Sequence, residues 1–291
     1  MSSPSSTGSD AICSSRLERV GRDGFLRLRF ERRGAGTVLT ERRFTLPLQA
    51  LEALPIDAGG AAVLVLLNPT GGLVGGDCLR TEVSAGDGAH CCLTTPSATK
   101  VYRTAGTPAI QEFFARLGPG AVLEYVPDHL IPFPGAALRQ SVTVELGEGS
   151  RAILFDALAI GRVARGEVWC FAELDTTVVV TDRLGPRLRD RFRLIPARRT
   201  WSGLGGMEGM NYLATLALLF DGDGRSVSAE LEAALADFSG VRGAVSELGR
   251  GGVLVRFLTA GAPELQAAFH RLWAIARGAL LGLSPLDLRK G

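Results

Sequence analysis

The stretch from Leu79 to Thr95 reads LRTEVSAGDGAHCCLTT and contains two short runs separated by a tight turn. In residues 79–84 apolar and polar side chains alternate, which is the period of a half-buried β-strand. Residues 89–95 form the second run. The intervening AGDG segment at 85–88 is typical of a hairpin turn. We therefore predict a β-hairpin at this point of the chain.

The same strand pattern recurs on both sides of this stretch. Leu26, Leu28 and Phe30 alternate with Arg27 and Arg29, and residues 61–67 form a fully apolar run. Further strands are predicted at 121–126, 140–146, 152–158, 168–174, 177–181 and 187–194. Segments rich in Gly, Pro and Asp separate them, and no helix-length segment interrupts the series. This pattern excludes a βαβ array and predicts a mainly β fold.

The last hundred residues have a different pattern. Residues 210–220 and 227–238 are predicted to be helical. Pro263 suits the first turn of a further helix, because the missing N–H would be unpaired there anyway. Apolar residues then follow at helical spacing up to Ala276. We therefore expect a strand-rich body with a few helices near its C-terminal end.

Composition narrows the class of protein. The 291 residues include 46% hydrophobic and 21% charged residues, and residues 16–291 are predicted to form a single domain. The net charge of +2 gives no argument for nucleic-acid binding. Residues 1–15 hold seven serines and no apolar core, which predicts a disordered tail and no secretory signal.

Two further features predict a cytoplasmic protein that does not contact a membrane. The longest apolar run, residues 61–67, is far shorter than the ~18 residues that a membrane span needs. The five cysteines form no CxxC pair and are odd in number, which favours free thiols in a reducing compartment over a disulfide framework.

Common enzyme motifs are absent from the sequence. It contains no GxGxxG, no GxxxxGK[ST] and no GxSxG, so it lacks both common phosphate loops and the hydrolase nucleophile elbow. The three imidazoles, His90, His129 and His270, have no local partner pattern. We therefore predict no catalytic residue.

A possible metal site involves His90 and Cys92, which share one face of the predicted strand while Cys91 faces the opposite side. If Cys78 joined them across the hairpin, the three side chains could hold nickel or zinc. The alternative, which we favour, is that small thiols fill the strand interior.

Four arginines, Arg187, Arg189, Arg191 and Arg193, share one face of the strand predicted at 187–194. This stripe is either a solvated outer face or a docking surface for an acidic partner. Nucleic acid is disfavoured because no aromatic residue is interleaved on the arginine face.

Two neighbouring blocks carry the most informative residues. The first, NPTGGLVGGD at 68–77, has four glycines in six positions, which indicates positive φ or close backbone approach. Asp77 ends it and either caps backbone amides or faces an interior cavity. The second, TTPSATKVYR at 94–103, clusters hydroxyls beside Lys100, which either line a wet channel or satisfy local backbone groups.

These blocks resemble the NPxGGxxGGD and TTxxxTKxYR motifs of the UreD (UreH) family of urease accessory proteins. The GRVARGE segment at 161–167 is similar to the family's GRxAxGE motif, the segment from Glu124 to Phe133 to its hydrophobic-Pro region, and residues 273–283 to its closing helix. The resemblance spans about residues 16–285. The residues that match the first, second and GRxAxGE motifs are Asn68, Pro69, Gly71, Gly72, Gly75, Asp77, Thr94, Thr99, Lys100, Tyr102, Arg103, Gly161, Arg162, Gly166 and Glu167.

The sequence departs from the family pattern at two places. Thr70 stands where many members carry a second proline. Residues 284–291 lack the PRIW-like ending of the family, which puts any role of that terminus in doubt.

The resemblance implies a β-helix-like body with a few C-terminal helices and no catalytic activity. It implies binding to apo-urease and recruitment of UreF and, through it, of the GTPase UreG. It also implies that nickel passes transiently through an internal channel, with no tightly bound cofactor.

A nickel path requires ligands that release the ion. Asp77, Asp156 and Glu167 are the candidate ligands. Thr95, Ser97 and Lys100 are their polar neighbours. Two alternatives stay open: a hydrolase or transferase with an Asp/Thr/Lys site at the Gly-rich turn, and a β-helical structural protein in which the carboxylates cap turns. Arg162 could also neutralise Glu167 in a structural pair.

Overall fold

A computed structural model describes residues 22–54, 56–203 and 205–288, which form nineteen strands and two α-helices. The predicted disordered tail at 1–15 lies outside the described residues. The α-helices are α1 (Arg225–Ala236) and α2 (Ala262–Leu281). The strands are β1 (Asp23–Arg33), β2 (Gly36–Thr45), β3 (Gln49–Ala50), β4 (Ala62–Leu67), β5 (Cys78–Ala85), β6 (His90–Thr94), β7 (Thr99–Val101), β8 (Ala109–Leu117), β9 (Val122–Tyr125), β10 (Leu130–Pro132), β11 (Ala137–Glu145), β12 (Arg151–Ala159), β13 (Gly161–Arg162), β14 (Glu167–Val168), β15 (Glu173–Asp182), β16 (Gly185–Leu194), β17 (Tyr212–Leu219), β18 (Val241–Glu247) and β19 (Val253–Thr259).

Two large sheets make up the body of the protein. A seven-stranded sheet has the order β16-β15-β11-β8-β5-β1-β2, and a ten-stranded sheet has the main path β18-β19-β17-β12-β9-β6-β4-β3, with β10 joined to β12 and β7 to β10. Between β4 and β15 the chain winds repeatedly from one sheet to the other, and strands of successive coils pair in parallel, as β5-β8-β11-β15 in the seven-stranded sheet and β4-β6-β9-β12 in the ten-stranded sheet. This winding confirms the β-helix-like prediction.

The corners between the two sheets share a G-x-G sequence at 86–88, 118–120 and 147–149. The second glycine of each corner, Gly88, Gly120 and Gly149, has positive φ, at 63°, 65° and 63°. The Gly88 N–H donates to the Pro119 carbonyl at 2.8 Å, and the Gly120 N–H donates to the Glu148 carbonyl at 2.8 Å. Successive corners therefore stack on one another, and the repeat marks the edge of the solenoid.

The hairpin predicted from residues 79–84 and 89–95 is wrong. β5 belongs to the seven-stranded sheet, where it pairs with β1 and β8, and β6 belongs to the ten-stranded sheet, where it pairs with β4 and β9. The AGDG segment turns the chain through a corner instead of reversing it. A hairpin turn and a corner between two sheets use the same turn residues. They differ only in which strands of the neighbouring coils the flanking strands pair with.

Two hydrophobic cores lie on opposite sides of the ten-stranded sheet. The inner core fills the space between the two sheets, and the outer core lies between the ten-stranded sheet and the two helices. Alternate residues of one strand enter different cores, as Cys91 and Leu93 face the inner core while Cys92 faces the outer one. The prediction that Cys91 and Cys92 point in opposite directions is therefore confirmed.

The helices agree only in part with the prediction. Residues 227–238 fall mainly in α1, and Pro263 lies in the first turn of α2, as predicted. Residues 210–220 are not helical, because β17 occupies most of this segment. Most of its Leu and Ala residues are buried, on both faces of the sheet, so Thr215 is the one polar position and the polar–apolar alternation that marks a strand is missing.

The strand predicted at 168–174 is also wrong over most of its length. β14 ends at Val168 and β15 begins at Glu173. Trp169 has a φ of 58°, which turns the chain out of the extended conformation.

Candidate functional site

The two motif blocks meet at one place in the fold. The Leu73 N–H donates to the Lys100 carbonyl at 2.8 Å, and the Tyr102 N–H donates to the Leu73 carbonyl at 2.8 Å. The Tyr102 hydroxyl also donates to the Gly71 carbonyl at 3.3 Å. The Gly-rich turn is thus held against β7 by backbone hydrogen bonds, and the two segments form a single unit.

Glycine is required at position 72 of this turn. Gly72 has a φ of 155°, and a Cβ there would lie 2.5 Å from the Lys100 carbonyl oxygen. Asn68 shapes the start of the turn, since its Oδ1 accepts hydrogen bonds from the Thr70 N–H at 3.2 Å and the Thr70 hydroxyl at 2.7 Å. Thr70 therefore has a role in the turn at the position where the resembled family often has proline.

Asp77 is buried at the end of the turn, with 4% of its surface exposed. Its Oδ2 accepts the Val74 N–H at 2.9 Å, which is the capping contact. Its Oδ1 is also buried, accepts no hydrogen bond from another described residue and lies 3.5 Å from Arg22 Nε. The carboxylate therefore caps the turn with one oxygen, while the other forms an ion pair with Arg22 without a hydrogen bond.

The hydroxyls of Thr94 and Thr95 in the second block contact backbone groups. The buried Thr94 hydroxyl donates to the Val126 carbonyl at 2.7 Å. The Thr95 hydroxyl donates to the Ser97 carbonyl at 3.2 Å and accepts the Asp128 N–H at 2.8 Å. Ser97 and Lys100 are exposed. The hydroxyls of Thr94 and Thr95 therefore bind backbone groups, of which only the Ser97 carbonyl is local in sequence.

Asp156 lies elsewhere, on β12 between the two sheets. It lines a small cavity of about 20 Å³ that is also lined by Tyr125 and Asp190. Gln140 Nε2 donates to its Oδ1 at 3.2 Å, while the buried Gln140 Oε1 accepts no hydrogen bond from another described residue. Burial raises the pKa of Asp156 to about 6. Its charge therefore changes near neutral pH.

Glu167 is paired with Arg162, as the structural alternative supposed. The guanidinium Nε and one terminal nitrogen donate to the two carboxylate oxygens at 2.5 and 2.6 Å. The Arg162 guanidinium also lies 4.4 Å from the centre of the Phe133 ring. Gly161 is needed here because a Cβ would collide with the Glu167 carbonyl, and Gly166 ends the intervening 3₁₀ turn with a φ of 70°. The GRVARGE motif is thus a compact ion-paired turn.

The three candidate nickel ligands lie on separate elements. Asp77 precedes β5, Asp156 lies in β12 and Glu167 begins β14. In the described ranges, no three His, Cys, Asp or Glu side chains are grouped as they would be to hold a metal ion. The three candidates therefore do not form one coordination shell.

The structure does not assemble the possible His90–Cys92–Cys78 site. Cys78 begins β5 in the opposite sheet, whereas His90 and Cys92 lie on β6. Burial raises the pKa of Cys92 well above its usual range, so the thiol stays protonated. Cys91, Cys92 and Cys170 are free thiols, which is the state that the cysteine pattern favours, whereas Cys78 is disulfide-bonded.

Instead, His90 belongs to a buried ionic cluster that the sequence did not reveal. Glu124, fully buried on β9, accepts hydrogen bonds from Arg277 and Trp273 of α2, the latter at 2.7 Å, and lies 2.7 Å from His90 Nε2. Arg277 also binds Asp57 and donates from Nε to the Ser284 carbonyl at 3.0 Å. We call Asp57, His90, Glu124, Trp273 and Arg277 the α2 ionic cluster. Its function in the fold is to fix α2 to the ten-stranded sheet.

The four arginines of the stripe predicted on β16 differ in exposure and in ion pairing. Arg187 is buried and binds Asp182, Asp221 and two backbone carbonyls. Arg189 is exposed and makes no ion pair with another described residue. Arg191 pairs with Asp175 at 2.8 Å and Arg193 with Glu173 at 2.6 Å. Three of the four arginines are therefore already neutralised.

No helix in the described part of the chain is long and apolar enough to cross a membrane.

The sequence matches the family model described as "UreD urease accessory protein" over residues 22–290. Proteins named "Urease accessory protein UreD" are similar to it over nearly their whole length. One from Alkalilimnicola ehrlichii is 35% identical over 98% of this chain and 96% of its own length. Others from Actinomyces naeslundii and Cupriavidus necator are 33% and 34% identical over 92% and 91% of this chain and 98% and 92% of their own lengths. The chain therefore belongs to the UreD family of urease accessory proteins.

Proposed function

We propose that this chain is a non-catalytic urease maturation factor that acts in the cytoplasm. It binds apo-urease, recruits UreF and through it the GTPase UreG, and assists insertion of nickel into the urease active site. The observation that carries this proposal is the family match across residues 22–290 together with full-length relatives named as urease accessory proteins. The sequence lacks both common phosphate loops, which suits a protein that leaves nucleotide hydrolysis to a partner.

Nickel is the cargo in this proposal, and Asp77 and Asp156 are the contacts best supported by geometry. Asp77 has one buried oxygen that accepts no hydrogen bond from a described residue and would exchange only a 3.5 Å ion pair with Arg22 for the ion. Asp156 faces a small cavity, and its elevated pKa lets a proton and a metal ion compete for it near neutral pH. Glu167 would have to exchange its two hydrogen bonds with Arg162 for the ion, so its contact would be the weakest. Thr95, Ser97 and Lys100 remain proposed polar neighbours.

Co-purification tests the proposed binding to apo-urease and UreF. The full chain, tagged and co-expressed with the urease subunits and UreF, should elute together with both. Elution of the tagged chain alone would overturn it. The alternative, a hydrolase or transferase with Asp77 and Lys100 in its site, predicts substrate turnover by the isolated chain, whereas a maturation factor has none.

Amide substitutions test the proposed contacts of the three carboxylates with nickel. Asp77→Asn, Asp156→Asn and Glu167→Gln keep shape while removing the negative charge, so complex assembly should persist while urease activation falls. Glu230→Gln and Glu232→Gln on the exposed face of α1 are the matched controls and should leave activation unchanged. Thermal stability and complex assembly are measured on every variant. Normal activation, or a loss that only follows unfolding, would remove these residues from the nickel path.

A further inference from the structure

The outer face of the seven-stranded sheet is an exposed, arginine-rich surface. Both α-helices pack on the ten-stranded sheet instead. The register of β16, β15, β11, β8, β5, β1 and β2 brings their outward residues into continuous rows. We call this surface the arginine face. Its outward arginines are Arg27, Arg29, Arg43, Arg80, Arg116, Arg139, Arg189, Arg191 and Arg193.

Carboxylates on the arginine face neutralise only part of its charge. Arg27 and Arg80 share one partner, Glu82, at 2.8 and 2.9 Å. The pairs Arg116–Glu145, Arg191–Asp175 and Arg193–Glu173 account for three more arginines. Four arginines are exposed and make no ion pair with another described residue. They are Arg29, Arg43, Arg139 and Arg189.

Glu41 and Glu112 are the outward carboxylates that lack an ion pair within the described residues. They are fewer than the unpaired arginines, and Glu82 already serves two cations. The arginine face therefore keeps a positive surplus, and an incoming protein surface with carboxylates would complete its pairing.

The size of this surface is sufficient for a stable interface. Six strand spacings of ~4.8 Å make it about 29 Å wide, and nine residues of β8 make it about 30 Å long, which gives roughly 900 Å². A standard protein interface buries about 800 Å² on each partner. The surface is broad and follows a sheet, so it fits a folded partner better than a single peptide segment.

The centre of the arginine face has the arrangement of an interface core. A shallow depression of about 740 Å³ is lined by Phe114 together with Glu82, Glu112 and Arg116. The Arg116 guanidinium lies 5.6 Å from the Phe114 ring centre. An aromatic residue inside a rim of charged groups is typical of the central part of protein interfaces.

We propose that the arginine face is the docking surface for a folded protein with an acidic face, and that in the assembly proposed above this protein is apo-urease. This inference rests on the proposed function, in which apo-urease is the partner protein. Unpaired arginines spread from β16 to β2 steer the acidic partner to the sheet, and the Phe114 depression receives it.

Charge reversal tests this surface. The full chain carrying Arg43→Glu, Arg139→Glu and Arg189→Glu should associate with apo-urease about tenfold more slowly at 0.05 M ionic strength. The difference should shrink at 0.5 M, because salt screens the steering. A matched control, Arg165→Glu, Arg198→Glu and Arg225→Glu, makes the same change in net charge at exposed positions off the arginine face and should change the rate less than twofold.

Four outcomes are distinguishable. Slower association only for the arginine-face variant supports the proposal. Equal rates for the two triple variants overturn it while the proposed function stands. If the arginine-face variant associates more slowly with UreF but not with apo-urease, the assignment of apo-urease to this surface is wrong. Failure of the unsubstituted chain to bind apo-urease overturns the proposed function and this inference together. If the charge-reversal variant does not fold, the same comparison is made with Arg43→Gln, Arg139→Gln and Arg189→Gln. The expected decrease in the association rate is then smaller.

Discussion

Arginine–carboxylate pairs lie on the outer faces of both sheets, but they are buried on one sheet and exposed to water on the other. Where α2 packs on the ten-stranded sheet, Arg277 of α2 and Glu124 of β9 are fully buried, and the Asp57 side chain is 4% exposed. On the seven-stranded sheet, the Arg116 and Glu145 side chains are 66% and 43% exposed. A buried charge that loses its partner has no water to replace it, whereas an exposed one does.

This difference assigns separate tasks to the two faces. The α2 ionic cluster holds one geometry because every charged group in it has a protein partner, so its contribution is structural. The arginine face contributes little to stability and leaves cations free for another molecule. Variants of the two faces should therefore differ in what they change: folding for the first and association for the second.

The largest effect is expected in the α2 ionic cluster. Arg277→Met keeps most of the side-chain volume but leaves Glu124 and Asp57 buried without their cation. The free energy of unfolding should fall by about 3–5 kcal/mol, measured by urea denaturation. Arg271→Met on the same helix is the control, since Arg271 and Asp237 are 49% and 59% exposed. Its loss should not exceed about 1 kcal/mol. Similar losses at both positions would contradict the contrast.

An intermediate effect, with a characteristic pH dependence, is expected at Asp156 between the sheets. Its folded pKa of about 6 exceeds the ordinary 3.8, so the ionised carboxylate destabilises the native state above pH 6. The destabilisation fades as pH falls from about 6 to about 4. Asp156→Asn should therefore raise the free energy of unfolding by about 1–3 kcal/mol at pH 8 and leave it unchanged at pH 4.

Asp175 provides the control of opposite sign. A hydrogen bond from Arg191 lowers the pKa of Asp175, so its ionised form stabilises the native state above the ordinary carboxyl pKa. Asp175→Asn should reduce stability at pH 8 by less than about 1 kcal/mol, and the loss should vanish as pH falls. Thermal unfolding across pH 4–8 measures both variants, and a pH-independent effect at position 156 would contradict the interior assignment.

The smallest effect is expected for exposed pairs on the arginine face. Arg116→Gln removes the partner of Glu145 in a place that water reaches. The free energy of unfolding should change by at most about 1 kcal/mol. A loss as large as that of Arg277→Met, measured in the same urea experiment, would mean that the two faces do not differ as described.

Much of the strand body could be predicted from the sequence, because alternation along one strand is a local property. Residues 26–30, 140–146 and 187–194 fall within or largely within β1, β11 and β16. The corner at 85–88 was mistaken for a hairpin because the distinction lies in the neighbouring coils. The G-x-G repeat at three corners was the available signal.

The α2 ionic cluster could not be predicted from local patterns. Glu124 and Arg277 lie 153 residues apart, and each stands in a segment that is otherwise apolar. The family resemblance singled out the stretches around both residues but assigned neither a role. Winding of the solenoid and packing of α2 bring them together. By contrast, the motif blocks at 68–77 and 94–103 are close in sequence, and their contact in the fold follows from one coil of chain.

The nickel content of urease matured with and without this chain shows whether the chain assists nickel insertion. Urease subunits are co-expressed with UreF, UreG and nickel, in the presence or absence of the chain. The purified urease is then assayed for bound nickel by mass spectrometry and for urea hydrolysis. We predict that urease matured without the chain lacks most of its nickel and activity, and that restoring the chain restores both. Urease that is fully nickel-loaded and active without the chain would contradict this prediction.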